Sequence, residues 1–108
     1  MTSFKHTKIY SVALDVVRQS QALGARLPAS LADQLRRASS SIVLNFAEGA
    51  GRVGSRDRQR FFSTARASAY EVTAIADVAE VLGAADTATM ATLKDRCDHV
   101  AAMLYKFK

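Results

Sequence analysis

The chain has 108 residues, a length that suits one domain with a single hydrophobic core. Hydrophobic residues make up 49% of it and proline occurs once, a composition that disfavours β-sandwiches, which need many Gly- and Pro-rich turns. Fifteen Lys and Arg residues against ten Asp and Glu residues give a net charge of +5, which favours attraction to polyanions such as RNA or DNA.

The cysteine content and the hydropathy indicate the cellular setting. The single cysteine, Cys97, excludes an internal disulfide framework. No apolar run of signal-peptide length follows the charged N-terminus, and no stretch reaches the roughly 18 apolar residues of a membrane span. We therefore expect a protein of the reducing cytoplasm that does not enter membranes.

Two amphipathic helices are predicted in the first half of the chain. The first covers about residues 8–23, because apolar residues recur there at three- and four-residue steps. Thr7 can cap its first turn, and Gly24 can end it in the left-handed conformation. The second covers about residues 30–48 and begins with Ser30 as its cap. The apolar faces of these two helices are predicted to contain Ile9, Val12, Ala13, Val16, Val17, Ser20, Leu23, Leu31, Leu35, Ala38, Ile42, Phe46 and Gly49.

The third predicted helix covers about residues 55–82, with Ser55 as its cap and Gly83 as its end. At the standard rise of an α helix it is about 40 Å long. Its apolar stripe is predicted to contain Phe61, Phe62, Ala65, Ser68, Ala69, Val72, Ile75, Ala76, Ala79 and Leu82.

The fourth predicted helix covers about residues 87–105, and either Asp86 or Thr87 caps it. Its apolar face is predicted to contain Met90, Leu93, Cys97, Val100, Ala101 and Leu104. The connectors between the helices are short, which makes consecutive helices antiparallel neighbours. The sequence therefore predicts one all-α domain over residues 1–108, an antiparallel up-down-up-down four-helix bundle.

The sequence contains no constellation of catalytic or metal-ligating residues. His6 and His99 lie far apart, and neither has a second His or Cys at metal-ligand spacing, so both are interpreted as surface residues. Cys97 lies on the apolar face of the fourth helix, which favours a buried, unreactive thiol. The Glu-x-x-His pairs of helical di-iron proteins are also missing. We therefore predict a protein that is not an enzyme and has no catalytic residues, metal or cofactor.

A cluster of arginines surrounds the loop before the third helix and the first turns of that helix. This arginine cluster consists of Arg52, Arg56, Arg58, Arg60 and Arg66. Asp57 is the only acidic residue between Arg52 and Arg66. Arginine binds phosphate bidentately and stays charged, so the cluster is a candidate contact for the RNA backbone. The alternative is a solvated helix start with intramolecular ion pairs, although positive charge at a helix N-terminus opposes the helix dipole.

A polar stripe follows one side of the second helix. The polar stripe consists of Arg37, Ser41, Asn45, Glu48 and Arg52, at steps of three or four residues. Leu44 lies on the same side, which favours a partly buried, hydrogen-bonded interface with another helix or another subunit. The alternative is a solvated face with one exposed leucine.

Short motifs in and around the polar stripe resemble those of a known family. They are Gln34-Leu35-Arg36-Arg37-Ala38, Ser41-Ile42, Asn45, and Ala47-Glu48-Gly49 with Arg52, followed by Arg60-Phe61-Phe62, Ala65-Arg66, Ser68 and Glu71. This pattern resembles the signature of the four-helix-bundle proteins encoded in intervening sequences of bacterial 23S ribosomal RNA. The resemblance spans residues 9–82, and residues 45–49 are its most specific part.

The resemblance implies a four-helix bundle that assembles into a ring, typically a homopentamer. Related accessory proteins of diversity-generating retroelements form similar basic barrels that engage a reverse transcriptase and nucleic acid. For the ribosomal branch the resemblance implies an architecture more firmly than a biochemical role.

Our leading hypothesis is a non-enzymatic homo-oligomer whose arginine cluster binds nucleic acid, RNA in particular. A second set of residues would hold the bundle or its subunit contact together, namely Arg37, Ser41, Asn45, Glu48 and Glu71. The alternative hypothesis is a protein-interaction scaffold or accessory subunit, for example for a reverse transcriptase. In that case the arginines would face an acidic protein surface.

Overall fold

A computed structural model describes residues 3–107 of the chain. The helical elements are a short 3₁₀ turn at Phe4–His6 and four α helices, which are α1 (Lys8–Gly24), α2 (Ala29–Ala50), α3 (Ser55–Val81) and α4 (Thr87–Lys106). Each α helix confirms a predicted one, and the ends differ by one or two residues at most. The molecule extends 44 Å along its longest axis and 23 and 18 Å across it.

The four helices form an antiparallel up-down-up-down bundle. Helix α1 packs against α2 and α4, and α3 packs against the same two helices from the opposite side. The core between them uses different side-chain sizes on different helices. Helix α3 contributes four fully buried alanines, Ala65, Ala69, Ala76 and Ala79, whereas α2 contributes Leu35, Ile42 and Phe46. Small residues on α3 let its neighbours approach closely while large residues on α2 fill the interior.

Three of the predicted helix boundaries are confirmed, two by hydrogen bonds and one by its backbone conformation. The Thr7 side chain accepts a hydrogen bond from the Tyr10 amide at 3.2 Å. The Asp86 carboxylate accepts one from the Thr89 amide at 2.6 Å. Gly83 ends α3 with a φ of 70°, a left-handed conformation that is easiest for glycine.

Three other predicted boundary residues are wrong. Gly24 does not adopt the left-handed conformation, and α1 continues through it as a right-handed turn. Ser30 does not cap α2, because the helix begins one residue earlier, directly after the extended Pro28. Ser55 is the first residue of α3 rather than its cap, and the extended Gly54 precedes it. Neither α2 nor α3 has a side-chain hydrogen bond at its start, so both leave first-turn amides to other partners.

The predicted apolar faces are buried with few exceptions. Leu82 was expected in the core, but its side chain is 58% exposed because α3 ends at Val81 and the chain turns at Gly83. Val17, Leu31 and Phe61 are half-buried at the margins of their stripes. Within residues 3–107, no helix is both long enough and apolar enough to cross a membrane.

Candidate nucleic-acid interface

Charge divides the bundle into two halves along its length. Because the helices are antiparallel, residues 3–15, 40–66 and 97–107 form one half, which contains eight Lys and Arg residues and four acidic residues. We call it the basic half. Residues 16–39 and 67–96 form the other half, which contains six basic and six acidic residues, and we call it the neutral half.

Aromatic rings fill the core of the basic half. The Phe46 ring lies 5.8 Å from that of Phe62 and 5.4 Å from that of Phe107, and Phe4 approaches Phe46 at 6.4 Å. Phe46 and Phe62 are fully buried. Most of these pairs meet edge to face, the geometry that ring quadrupoles favour. The loop between α2 and α3 therefore lies on a firmly packed base.

Gly49 allows α2 to meet α3 at this aromatic cluster. A Cβ atom on Gly49 would lie 2.6 Å from Phe62 Cε1 and 3.0 Å from Phe61 Cβ, distances that force a neighbour to move. The backbone there has no positive φ, so the glycine is needed for space rather than for conformation. The motif Ala47-Glu48-Gly49 thus has a packing reason, which the sequence pattern did not reveal.

Arg58 holds the loop between α2 and α3. Its Nη1 donates hydrogen bonds to the Ala50 carbonyl at 2.9 Å and to the Arg52 carbonyl at 3.2 Å. Its guanidinium also lies 5.5 Å from the Phe62 ring centroid. These bonds satisfy carbonyls that the end of α2 leaves unpaired. The structure therefore gives Arg58 a stabilising position, in addition to the phosphate contact predicted for it.

Arg52 and Arg60 both contact the Phe61 ring, with their guanidinium groups 4.9 and 4.5 Å from its centroid. Each also binds an acidic side chain: Arg52 Nη2 contacts Glu48 Oε2 at 2.8 Å, and Arg60 Nη2 contacts Asp57 Oδ1 at 2.8 Å. Both pairs are largely exposed, so they stabilise little and can exchange for other anions. They do confirm intramolecular ion pairs within the arginine cluster.

Arg56 and Arg66 differ from the other three members. Neither forms an ion pair with a carboxylate among residues 3–107. Arg56 is exposed and lines a shallow depression of about 480 Å³ at the start of α3, together with Arg60. Arg66 lies farther along the helix, with its guanidinium 5.1 Å from the Tyr105 ring centroid.

The polar stripe divides into an inner and an outer part. Ser68 on α3 donates a hydrogen bond to Ser41 Oγ at 2.8 Å, and Asn45 Nδ2 donates to the same oxygen at 2.9 Å. The Ser68–Ser41 bond joins α3 to α2, whereas the Asn45 bond lies within α2. The outer part is Arg37, Glu48 and Arg52, which are exposed at the surface, as is Glu71 on α3.

The Arg37 end of the polar stripe lies beside a groove between α2 and α3. Arg37 binds Asp33 through Nη2 at 2.6 Å, and Arg36 binds the same carboxylate. These bonds from Arg37 and then Arg36 lower the pKa of Asp33 below its ordinary value. Arg37 and Glu71 line the groove, and Leu44 on α2 is 66% exposed.

Cys97 is buried, as its position on α4 predicted, with 1% of its surface exposed. Burial raises the pKa of its thiol to about 11, against a smaller lowering by a hydrogen bond with Thr73. The thiol is therefore protonated at neutral pH. Among residues 3–107, no three His, Cys, Asp or Glu side chains are grouped so that they could hold a metal ion.

Fold and charge together define a four-helix-bundle protein with a basic surface over one half. The chain belongs to the 23S rRNA-intervening sequence protein family, whose family model matches residues 5–106. This match confirms the family that the motifs of α2 and α3 resemble. No curated protein matches the chain.

Proposed function

We propose that this chain is a non-enzymatic, homo-oligomeric protein that binds nucleic acid, RNA in particular, through its basic half. The observation that carries the proposal is the charge excess of that half, eight basic against four acidic residues, beside a neutral half with six of each. Membership in a family named for a ribosomal RNA supports RNA as the polyanion. A concentrated basic surface attracts the phosphate backbone and releases its counterions on binding.

The arginine cluster supplies the phosphate contacts in this proposal. Arg56 is exposed and has no acidic partner within residues 3–107, so a phosphate does not have to displace one. Arg52 and Arg60 are already oriented against Phe61, which lowers the entropy that each loses on binding. Phosphate would replace Glu48 and Asp57 as their partner. Arg66 extends the basic surface along α3.

The start of α3 adds a second source of attraction for phosphate. Its first-turn amides have no side-chain cap, and Arg56 and Arg60 lie on the same turns. Helix N-termini bind anions through such amides and through the helix dipole. The opposing effect of arginines on that dipole is relieved when a phosphate lies between them.

The homo-oligomer is proposed from exposed apolar residues outside the arginine cluster. Val78, Val81 and Leu82 near the end of α3 are 44%, 86% and 58% exposed, and they lie in the neutral half. Contiguous exposed apolar residues commonly form the surface through which a protein associates with another chain. The groove lined by Arg37 and Glu71 is the other candidate contact, together with the exposed Leu44 on α2. A homopentamer is the assembly that the family resemblance implies.

The test of RNA binding is a fluorescence-anisotropy titration over a salt series, with a structured ribosomal RNA fragment and a duplex DNA of equal length. The variant R56Q/R60Q should bind RNA more weakly, and its salt slope should fall by about two, since each phosphate contact contributes about one. The control R18Q/R26Q removes the same charge from the neutral half and should leave the slope unchanged. Equal losses in both double variants, or no binding at low salt, would refute the proposal.

Light scattering of the purified protein tests assembly. We expect the mass of two or more chains of 11.7 kDa each. V78E/V81E should shift this mass to that of the monomer, whereas V53E, at a fully exposed valine in the loop between α2 and α3, should not. A monomeric wild-type protein would contradict the homo-oligomer.

A protein-interaction scaffold is the competing function, and the exposed apolar residues of α3 favour it as well. In that case Val78 and Val81 would contact a different protein, and the arginines would face acidic side chains. Affinity capture separates the two functions. A stoichiometric protein partner that survives nuclease treatment and is lost in V78E/V81E would favour the scaffold.

A further inference from the structure

A groove between α3 and α4 combines aromatic and basic side chains. It has a volume of about 260 Å³ and is lined by Arg66, Tyr70, Asp98, Ala102, Tyr105 and Lys106, among others. Tyr70 and Tyr105 are 58% and 71% exposed, so both rings lie largely in solvent. Two exposed tyrosines in one groove are unusual for side chains that otherwise bury their rings in a core or an interface.

The charge of the groove complements a nucleic-acid backbone. Arg66 and Lys106 contribute two positive charges, and neither has a carboxylate partner among residues 3–107. Asp98 contributes one negative charge, which keeps phosphates toward the Arg66 and Lys106 side. A carboxylate at that position can accept a hydrogen bond from an exocyclic amino group of a base.

Arg66 and Tyr105 are already arranged for stacking. The guanidinium lies 5.1 Å from the ring centroid, so it covers one side of the ring and holds it in place. The groove is also lined by two small residues, Ala101 and Ala102, which leave room for a flat ring. Planar aromatic side chains beside arginines are the means by which proteins bind unstacked bases.

We infer that this groove binds unpaired bases of a single-stranded RNA segment. One base stacks on Tyr105 and a second on Tyr70, while Arg66 and Lys106 bind the phosphates between them. The inference rests on the proposed RNA binding and adds a preference to it. Bases inside a duplex are already stacked and cannot reach the tyrosines, so the groove favours single strands or loops.

The test uses a short unstructured RNA, the same strand with abasic sites, and a duplex RNA of equal length. The double variant Y70A/Y105A should bind the unstructured strand roughly 30-fold more weakly, since two stacked bases are lost. Its salt slope should stay unchanged because no phosphate contact is removed. Y70F/Y105F keeps both rings and should bind like the wild-type protein. Binding of the abasic strand and the duplex should be the same for all three proteins.

Tyrosine fluorescence gives an independent measurement, because the chain has no tryptophan. The unstructured strand should quench the emission of Tyr70 and Tyr105, and the abasic strand should not. Tyr10 is the remaining tyrosine and packs 5.2 Å from the Phe4 ring, so Y70A/Y105A gives its background signal. Circular dichroism of each variant confirms that the bundle is intact.

Three outcomes would overturn the inference. Y70A/Y105A could bind the unstructured strand as tightly as the wild-type protein does. It could lose as much affinity for the duplex and the abasic strand as for the unstructured strand, which would indicate a general effect rather than the loss of base stacking. It could also change the mass in light scattering, which would place the tyrosines in a subunit contact. If duplex binding that depends on Arg56 and Arg60 persists, the proposed function stands and only the stacking groove fails.

Discussion

The two halves of the bundle are stabilised in different ways. In the basic half, four phenylalanine rings meet in the core, Gly49 brings α2 against Phe62, and Arg58 binds the carbonyls at the end of α2. Each of these contacts joins different elements of the chain. The loop between α2 and α3, which lies beside the arginine cluster, is therefore fixed by several tertiary contacts.

The neutral half is closed by a left-handed glycine, a helix cap, small residues and surface ion pairs. Gly83 ends α3, Asp86 caps α4, and the partly buried Ala84 and Ala85 cover the core between them. Lys94 binds both Asp77 and Glu80 at 2.7 Å, which raises the pKa of its amino group. Both halves have a buried apolar core, and they differ at their ends. Packed rings and the Arg58 hydrogen bonds fix the end of the basic half, whereas a left-handed glycine, a helix cap and surface ion pairs lie at the neutral half.

The largest expected effect is at the close approach of α2 and α3. G49A should lower the free energy of unfolding by about 2 kcal/mol, because the added methyl group meets the fully buried Phe62 ring. G51A is the matched control, since its Cβ would make only ordinary contacts at 3.6 Å and its φ suits alanine. Urea denaturation of both variants measures the difference. If G49A and G51A were equally stable, the close contact of Gly49 with Phe62 would not stabilise the basic half.

Removal of the Arg58 hydrogen bonds should have the next largest effect. R58M should lower stability by about 1.5 kcal/mol, because charge-assisted bonds to two carbonyls are lost. R56M should leave stability nearly unchanged, since Arg56 is exposed and has no ion pair among residues 3–107, but it should weaken RNA binding. If R56M lowered stability in urea denaturation and R58M only weakened RNA binding, Arg56 would be the stabilising residue and Arg58 the phosphate contact.

A smaller effect is expected at the end of α3. G83A should lower stability by about 1 kcal/mol, because Gly83 has a φ of 70° that a side chain disfavours. G24A, in the same half, should be neutral or slightly stabilising, because Gly24 is helical and its Cβ would lie 3.8 Å from that of Ala32. A loss of stability in G24A would show that Gly24 is left-handed in solution, as the sequence alone suggested.

The smallest effect concerns the cap of α4 and its pH dependence. Hydrogen bonds from the Thr89 backbone and side chain lower the pKa of Asp86 below its ordinary value of 3.8. Its contribution to stability is therefore complete above pH 3.8 and is lost as the pH falls through the lowered value. D86N retains a capping side chain without this titration, so the gap between the urea midpoints of wild type and variant should close in acid. A gap that is constant with pH would exclude the charged cap.

The sequence predicted the helices better than their ends. Apolar periodicity located all four helices because each buries one continuous face. The caps at Thr7 and Asp86 were predicted because both oxygens bond amides within the same turn. The caps predicted at Ser30 and Ser55 were wrong because both serines already lie inside their helices. The cap positions fall on Pro28 and Gly54, whose side chains have no hydrogen-bond acceptor.

The candidate site was predicted in composition but not in arrangement. The sequence identified the arginine cluster and the polar stripe, since both consist of nearby residues. It did not reveal that Arg58 binds the end of α2, or that Ser68 joins Ser41, because those partners come from other elements. The groove of Tyr70 and Tyr105 was missed for the same reason, as its two tyrosines lie on different helices.

The sequence by itself determined the all-α class, the number of helices, the family and the excess of basic residues. All of these depend on local periodicity, composition and short motifs. Only the tertiary structure decided that the basic excess collects in one half, that Gly49 is required for space, and that Arg66 and Tyr105 share a groove. The physical reason is that local pattern fixes which face of each helix is buried, whereas the pairing of antiparallel helices fixes which side chains meet.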